Sequence, residues 1–312
     1  MTTTRTHADM AGWDVHTHLI PPTVLTAAYR SEHGLSIVND FLVVAGRERL
    51  PLQRLADPTA LLQWIDEQQL DGAVVSLPPA LFRYDLGLEW ALLVNQGLRE
   101  LATPRLRVLG HLPLLEPALA ASIARSLAAE GVFSGFALGT PGFASAALDL
   151  LWEALDQLEA FTLIHPGHSH DERLNAFYLS NLLGNPYETG LAAAELIFSD
   201  VPGRFGGIRF CLCHGGGVTA ALAGRWQRGI DTARPGIEPP SLSVADALRR
   251  FYVDDLVHDP AVLALLEARF GAERMLAGSD WPFPMGSDEV DQGRAGAAEL
   301  LTRPLKKGVA EE

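Results

Sequence analysis

The segment Trp13-Asp14-Val15-His16-Thr17-His18 is the first of several short, β-prone runs, and the recurrence of such runs determines the predicted fold. Runs rich in Val, Ile, Leu and Phe alternate with longer stretches of helical periodicity, which is typical of βαβ units around a parallel sheet. The predicted strands cover residues 13–19, 72–77, 107–112, 134–138, 161–165, 208–214, 250–254 and 275–280. Helices are predicted at 58–69 with Asp57 as N-cap, at 146–158, and at 260–270 with Asp259 as N-cap.

About eight such units predict an α/β protein with a (β/α)8 TIM-type barrel, and an open doubly wound sheet is the alternative. The placement of polar residues favours the barrel. His18, His165, His214 and Asp280 each fall at or near the end of a predicted strand. In a barrel the carboxyl ends of the strands form the catalytic face. The sequence therefore predicts one site on that face.

The alternation is interrupted once, between about residues 21 and 55, where the only apolar run is 41–44. We interpret this stretch as a small insertion or lid on a single barrel domain that comprises residues 1–312. The charged segment 306–312 is expected to be a frayed tail.

Charge and composition exclude several classes of partner. Asp and Glu number 38 against 24 Lys and Arg, so the net charge of −14 disfavours nucleic acid and anionic lipid surfaces. A small anionic substrate remains compatible with this charge, because a metal ion and local arginines reverse the potential inside a pocket. The polar first ten residues and the lack of a long apolar run predict a cytoplasmic protein without membrane association. The two cysteines, Cys211 and Cys213, are expected to be buried, reduced thiols.

The histidines predict a metal site. His16 and His18 alternate on an extended segment, so both imidazoles leave the same face of the strand. Histidines with one carboxylate and an open position suit catalytic Zn²⁺, with Mn²⁺, Fe²⁺ or Co²⁺ as alternatives. Residues 135–139 supply no Lys, Glu, Asp or His that would bridge a second ion, so we expect a single divalent ion. The glycines at 215–217 lack the Lys-Ser/Thr of a phosphate-binding loop and are better explained by close backbone approach.

Taken together, these motifs resemble the amidohydrolase superfamily, and within it the branch typified by aminocarboxymuconate semialdehyde decarboxylase. The resemblance extends over roughly the whole chain. It is carried by Asp14-Val15-His16-Thr17-His18, by residues 135–140, by His165-Pro166, by residues 213–217 through Gly224-Arg225, and by residues 278–284.

The resemblance implies a role for several residues. His16, His18, His165 and Asp280 would bind the metal, and His214 would act as acid and base beside it, with Asp280 able to shuttle the proton. Arg225 matches an arginine that reaches into the neighbouring subunit's site to hold a carboxylate, which implies a homodimer. Arg47 matches the branch's other carboxylate-binding arginine, with Arg49 as the alternative.

Further substrate contacts are predicted from positions beyond strand ends. His168 follows His165 closely, and Phe283 belongs with Phe82, Tyr84 and Trp281 to a set of aromatic residues that would line a pocket. One departure from the family concerns the C-terminus: the chain runs from 286 to 312 without the family's long helix and closing turn, so the last helix is expected to be shortened or rearranged.

The resemblance implies a metal-dependent, non-oxidative decarboxylase of an aromatic or muconate-like carboxylic acid that needs no organic cofactor. The alternative is a metal-dependent hydrolase or hydratase acting on a lactone, ester, amide or enol acid through the same residues. A non-catalytic barrel that only binds its ligand is disfavoured, because all the site residues are present.

Overall fold

The computed structural model describes residues 12–167, 169 and 171–305. Its strands are β1 (Trp13–His18), β2 (Leu35–Val38), β3 (Phe41–Val44), β4 (Glu48–Pro51), β5 (Gly72–Ser76), β6 (Leu106–His111), β7 (Phe133–Leu138), β8 (Phe161–Ile164), β9 (Arg209–Leu212), β10 (Tyr252–Asp254) and β11 (Met275–Leu276). Eight of them form one sheet in the order β1-β5-β6-β7-β8-β9-β10-β11, and every paired neighbour is parallel. All predicted barrel strands are present in their predicted places.

The sheet closes between β1 and the segment that follows β11. The Val15 amide donates to the Ala277 carbonyl at 2.9 Å, and the Asp280 amide donates to the His16 carbonyl at 2.8 Å. An isolated parallel bridge joins Thr17 to Trp281. These bonds make the eight strands a barrel, so the predicted (β/α)8 fold is confirmed and the open doubly wound sheet is excluded.

Helices connect the strands and cover the outside of the barrel. They are α1 (Pro22–Tyr29), α2 (Leu52–Leu55), α3 (Pro58–Glu67), α4 (Gly87–Leu101), α5 (Pro117–Glu130), α6 (Asp149–Gln157), α7 (Asn185–Phe198), α8 (Val201–Arg204), α9 (Thr219–Asp231), α10 (Val244–Leu248), α11 (Pro260–Phe270) and α12 (Gln292–Leu301). The predicted caps are confirmed, since the Asp57 and Asp259 side chains accept from the first free amides of α3 and α11. The predicted helix at 146–158 begins instead with a 3-10 turn at Ala146–Leu148. Among the described residues no helix is both long and apolar enough to cross a membrane.

The interruption at 21–55 folds as a small structured insertion. After α1, strands β2, β3 and β4 form a three-stranded antiparallel sheet, and α2 leads back to the barrel. Side chains alternate along β4, so Leu50 is buried whereas Arg49 is exposed. The position of the insertion is as predicted, and its role as a lid stays a prediction.

The C-terminal end of the barrel differs from the prediction. β11 is only Met275–Leu276, whereas the predicted strand continued to residue 280, and at Asp280 the backbone turns with φ 58°. The expected short last helix is α12, which packs Ala295 and Ala298 into the core. The segment 306–312 lies outside the described residues. Cys211 and Cys213 are buried and free, as predicted.

His111, at the end of β6, is a buried histidine that had no predicted role. Its ring stacks on Tyr84 with centroids 5.5 Å apart, and within the described chain its Nδ1 has no hydrogen-bond partner. Burial lowers the pKa of His111 to about 3, because the interior disfavours the imidazolium. The folded protein therefore keeps this ring neutral at pH values where an unfolded chain protonates it.

We expect the free energy of unfolding to fall as the pH drops below about 6.5, since the unfolded state then binds a proton that folded His111 refuses. At pH 5 this contribution amounts to about 2 kcal/mol. Urea unfolding of wild type and His111→Gln at pH 7 and pH 5 measures it, and the variant should lose less stability between the two. His258→Gln, at an exposed histidine, is the control. An unchanged pH dependence in His111→Gln would contradict the expectation.

Candidate metal centre

Two strands bring three histidines to the same end of the barrel. β1 carries His16 and His18 on one face, His165 follows β8 directly, and all three are buried. The Nε2 atoms of His16 and His18 lie 3.1 Å apart. Asp280 completes the group, because its Oδ1 lies 3.3 Å from His16 Nε2 and 3.0 Å from His18 Nε2.

His214 lies on the other side of Asp280, with its Nε2 at 3.8 Å from Asp280 Oδ2. The ligand atoms of His16, His165, His214 and Asp280 all lie within 4.8 Å of one another. His18 joins this set through its short distances to His16 and Asp280. The structure thus brings together every residue for which the sequence predicted a metal-binding or acid–base role.

Hydrogen bonds on the far side of each ring aim the histidines at the centre. His16 Nδ1 donates to Asp254 Oδ2 at 2.8 Å, and His165 Nδ1 donates to the Pro166 carbonyl at 2.9 Å. His18 Nδ1 donates to the Leu77 carbonyl at 3.3 Å. Because Nδ1 carries the proton in each ring, the Nε2 lone pair points inward, as metal-binding histidines require.

The electrostatics of the site suit a cation. Burial lowers the pKa of His18. Burial, together with the charges of the neighbouring histidines, lowers the pKa of His165 well below its usual value. Burial alone would raise the pKa of Asp280, but the surrounding histidines hold it well below its usual value. Neutral imidazoles beside an ionised carboxylate are the protonation states that metal ligation needs.

His16 differs from the other two histidines. Burial opposes its protonation, yet Cys213, Asp280 and Asp254 together raise the pKa of His16 well above its usual value. We attribute the effect mainly to the two carboxylates, because burial raises the pKa of the Cys213 thiol to about 12 and leaves it neutral. The negative potential that attracts a proton to His16 would equally attract a divalent ion.

Two polar atoms of the site test whether a metal fits. Among the described residues, His165 Nε2 and Asp280 Oδ1 are buried atoms without a hydrogen bond. Leaving such an atom unsatisfied costs about 1–3 kcal/mol. A divalent ion held by these residues would satisfy both, so the donor set fits a metal of the Zn²⁺ or Mn²⁺ kind.

The backbone adopts unusual conformations at two residues of the site. His214 and Asp280 adopt φ values of 55° and 58°, which cost a non-glycine residue roughly 1–2 kcal/mol. Such conformations are concentrated at functional sites. The glycines after His214 allow a close approach, as predicted: a Cβ at Gly217 would lie 2.1 Å from the Pro186 carbonyl oxygen.

A cavity of about 510 Å³ opens above His165 and Asp280. Its walls combine aromatic, polar and charged side chains from several loops and from the insertion: Glu48, Leu50, Phe82, Arg83, Tyr84, Asp85, Thr140, Tyr178, Asn181, Asn185, Phe283 and Met285. A second cavity of about 310 Å³ reaches His214 and Asp280 from the other side. The first is of the size that holds a small organic ligand.

Only some of the predicted substrate-binding residues lie at the cavity. Phe283 lines the larger cavity, and its ring lies 5.3 Å from the ring of His18. Arg47 is exposed in the turn before β4, and Arg49 lies over the Phe41 ring at 4.8 Å. Neither arginine is among the residues that line the cavity, since β4 presents Glu48 and Leu50 there.

The remaining predicted residues lie elsewhere. Arg225 is exposed on α9 and lines neither cavity within this chain. Of the predicted aromatic residues, Phe82 and Tyr84 line the larger cavity, whereas Trp281 packs against Trp64 beside a different one. His168 lies outside the described residues.

Two residues at the site were not predicted from the sequence. Asp254, which orients His16, ends a predicted strand, so its position at a carboxyl end was a usable signal. Arg83 lines the cavity between Phe82 and Tyr84, two residues that were singled out while the arginine was not.

Comparisons with known proteins agree with this fold. The family model described as Amidohydrolase matches residues 13–312. The chain is 28% identical over 246 residues to a 2-amino-3-carboxymuconate-6-semialdehyde decarboxylase of Dictyostelium discoideum, a match that covers 74% of this chain and 68% of that protein. Two further curated relatives are matched over 34% and 50% of their length.

Solved structures share the barrel. The 5-carboxyvanillate decarboxylase of Sphingomonas paucimobilis superimposes with a TM-score of 0.77 at 20% identity, covering 94% of this chain and 99% of that one. A dihydroxybenzoic acid decarboxylase of Polaromonas sp. JS666, solved with manganese and the inhibitor 2-nitroresorcinol, gives 0.74 at 18% identity, covering 94% and 97%. Because the family model matches the chain from β1 onward, the protein belongs to the amidohydrolase family.

Proposed function

We propose that this protein is a metal-dependent, non-oxidative decarboxylase of an aromatic or muconate-like carboxylic acid. The observation that carries the proposal is the cluster of inward-facing histidines around Asp280, with two buried unsatisfied ligand atoms, at the floor of a cavity with aromatic walls. The names of its relatives support the same chemistry, since they are decarboxylases of muconate-type and hydroxylated aromatic acids.

His16, His18, His165 and Asp280 would hold one divalent ion. β7 supplies no carboxylate, lysine or histidine to bridge a second one. Zn²⁺ suits this donor set, and the manganese in the dihydroxybenzoic acid decarboxylase makes Mn²⁺ the alternative. When bound, the ion supplies a Lewis acid that holds and polarises an oxygen of the substrate.

Residues of the chain would then supply the proton that the reaction needs. Decarboxylation breaks the bond between the substrate carbon and its carboxylate, CO₂ leaves, and the electron pair that remains on carbon takes up a proton. His214 Nε2 would deliver it, and the 14% exposure of its side chain and its distance of 3.8 Å from Asp280 Oδ2 support this role. Asp280 would relay the proton, while the rings of Phe82, Tyr84 and Phe283 hold the substrate away from water.

We further propose a homodimer in which Arg225 enters the partner's site. Segment 177–191 carries a cluster of exposed apolar side chains, which we call the apolar patch: Phe177, Tyr178, Leu182, Leu183, Tyr187 and Leu191. Contiguous exposed apolar surface of this kind marks interaction sites. Tyr178 of the patch also lines the larger cavity. A second copy covering the patch would therefore lie at the edge of the site.

The metal proposal predicts about one divalent ion bound per purified chain. His165→Ala should weaken metal affinity by at least about tenfold, because it removes an inward-facing donor. His33→Ala, at a histidine that lines neither cavity of the site, is the matched control and should bind metal normally. Elemental analysis after dialysis measures both. Two ions per chain would refute the single-ion site, and none would refute the metal centre.

The decarboxylase proposal predicts CO₂ release from a panel of hydroxybenzoates and muconate semialdehydes, abolished by a chelator. His214→Gln should keep its metal yet lose at least about a hundredfold in kcat, since it lacks the group that delivers the proton. CO₂ detection and metal analysis on the same samples separate the two effects. Acid release from lactones without any CO₂ would favour the hydrolase instead, and full activity of His214→Gln would remove that residue from the mechanism.

The dimer proposal predicts complementation between two inactive variants. Arg225→Ala and His214→Gln each leave every homodimer site defective, but in a mixed dimer one of the two sites is intact. Co-expression at equal levels should restore about a quarter of wild-type activity. Size-exclusion chromatography with light scattering gives the oligomeric state. If Arg225 acts within its own chain, or not at all, the mixture shows no such recovery beyond the separate variants.

A further inference from the structure

The larger cavity is lined by more carboxylates than arginines. Glu48, Asp85 and Asp280 line it, and Arg83 is its single lysine or arginine among the described residues. Within one chain, a substrate with one carboxylate would be held by the residues of the metal centre. A substrate with a second carboxylate needs another cation in the same cavity, because an unpaired buried charge is strongly disfavoured. Arg83 is the group that meets this need within the chain.

Arg83 is held firmly at the cavity wall. Its Nε and Nη2 donate to the Asp85 carboxylate at 2.9 and 2.8 Å, and its Nη1 donates to the His33 carbonyl at 3.1 Å. The side chain is only 16% exposed. A guanidinium has five N–H groups, so two remain for a ligand after these three bonds. The arginine is thus fixed in orientation and still able to donate.

Tyr84 adds a second donor beside Arg83. The Tyr84 ring stacks on Phe82 at 5.9 Å, and its hydroxyl oxygen accepts the Gly139 amide at 2.6 Å. With the oxygen engaged as an acceptor, the hydroxyl proton remains to be donated. Tyr84 also lines the cavity. Two donors on the wall of one cavity, one of them charged, are of the kind that bind a carboxylate.

We propose that Arg83, with Tyr84, binds a second carboxylate of the substrate, so that the protein prefers dicarboxylic acids over monocarboxylic ones. The inference rests on the proposed function only for the anchoring of the first carboxylate at the metal centre. Asp85 competes with the ligand for Arg83: the guanidinium lowers the pKa of Asp85, which therefore stays ionised beside it. Removing the charge of Asp85 should strengthen binding of the second carboxylate.

The test is a binding measurement that needs no turnover. Isothermal titration calorimetry on the manganese-loaded protein compares benzoate with benzene-1,3-dicarboxylate and benzene-1,4-dicarboxylate. We expect at least one dicarboxylate to bind wild type about tenfold more tightly than benzoate. Arg83→Gln should abolish this preference and leave benzoate binding unchanged. Arg83→Lys, which keeps the charge but not the paired donors, should retain part of it.

Asp85→Asn separates a ligand-binding arginine from a merely structural one. If Arg83 binds the carboxylate, Asp85→Asn retains or increases the dicarboxylate preference. If the pair only fastens the loop, Arg83→Gln and Asp85→Asn weaken all ligands alike, which overturns the proposal. Arg99→Gln is the matched control, because Arg99 makes the same two-bond contact with Glu130 away from the cavity and should leave every affinity unchanged. Thermal melting of each variant confirms folding.

The two proposals fail in different ways. Equal affinity of wild type for benzoate and both dicarboxylates would overturn the role of Arg83, whatever the enzyme does to its substrate. Tight, Arg83-dependent dicarboxylate binding without CO₂ release from any acid would leave the second-carboxylate site standing and refute the decarboxylase.

Discussion

The closure between β1 and the residues after β11 is the constraint on which the site depends. Asp14 anchors it: its carboxylate accepts from the Ser279 hydroxyl at 2.5 Å and from the amides of Ser279 and His16 at 3.1 and 2.9 Å. Asp14 is fully buried, and this burial raises its pKa to about 7 although these donors oppose the shift. Because the seam fixes the first strand against the last, residues more than 260 positions apart, His16 and Asp280, meet at 3.3 Å.

Much of this arrangement follows from the sequence because barrels obey simple geometry. Alternation gives the strands, and the carboxyl ends of parallel strands gather the side chains that follow them, so His165 and Asp280 could be assigned to one site in advance. Which side chains of the insertion face the cavity could not be predicted in the same way. After the turn at 45–47, β4 directs the side chains of Glu48 and Leu50 to the cavity and leaves Arg49 outside. If the register of β4 shifted by one residue, Arg49 would face the cavity instead. A motif match that located Arg47 carried no information on that register.

The partners of the ligands show a second limit. Asp254 orients His16 through a contact 238 positions apart, and only the tertiary fold reveals which strand-end carboxylate serves which histidine. Charge behaves similarly: a chain with net charge −14 still places one clamped arginine, Arg83, at the wall of its cavity. Total charge therefore informs about macromolecular partners, whereas the affinity for a small acid is decided by a few groups.

Among the described residues, the three-stranded insertion touches the larger cavity through two side chains, those of Glu48 and Leu50, while its own strands pair with one another and with none of the barrel. The strand ends that carry the site histidines and Asp280 and the strands that form one wall of the cavity are thus separate elements of secondary structure. Substitution of residue 48 or 50 would reshape that wall and leave the seam and the histidines in place. The range of ligands that the cavity admits can therefore change at the insertion while the strand ends keep their chemistry.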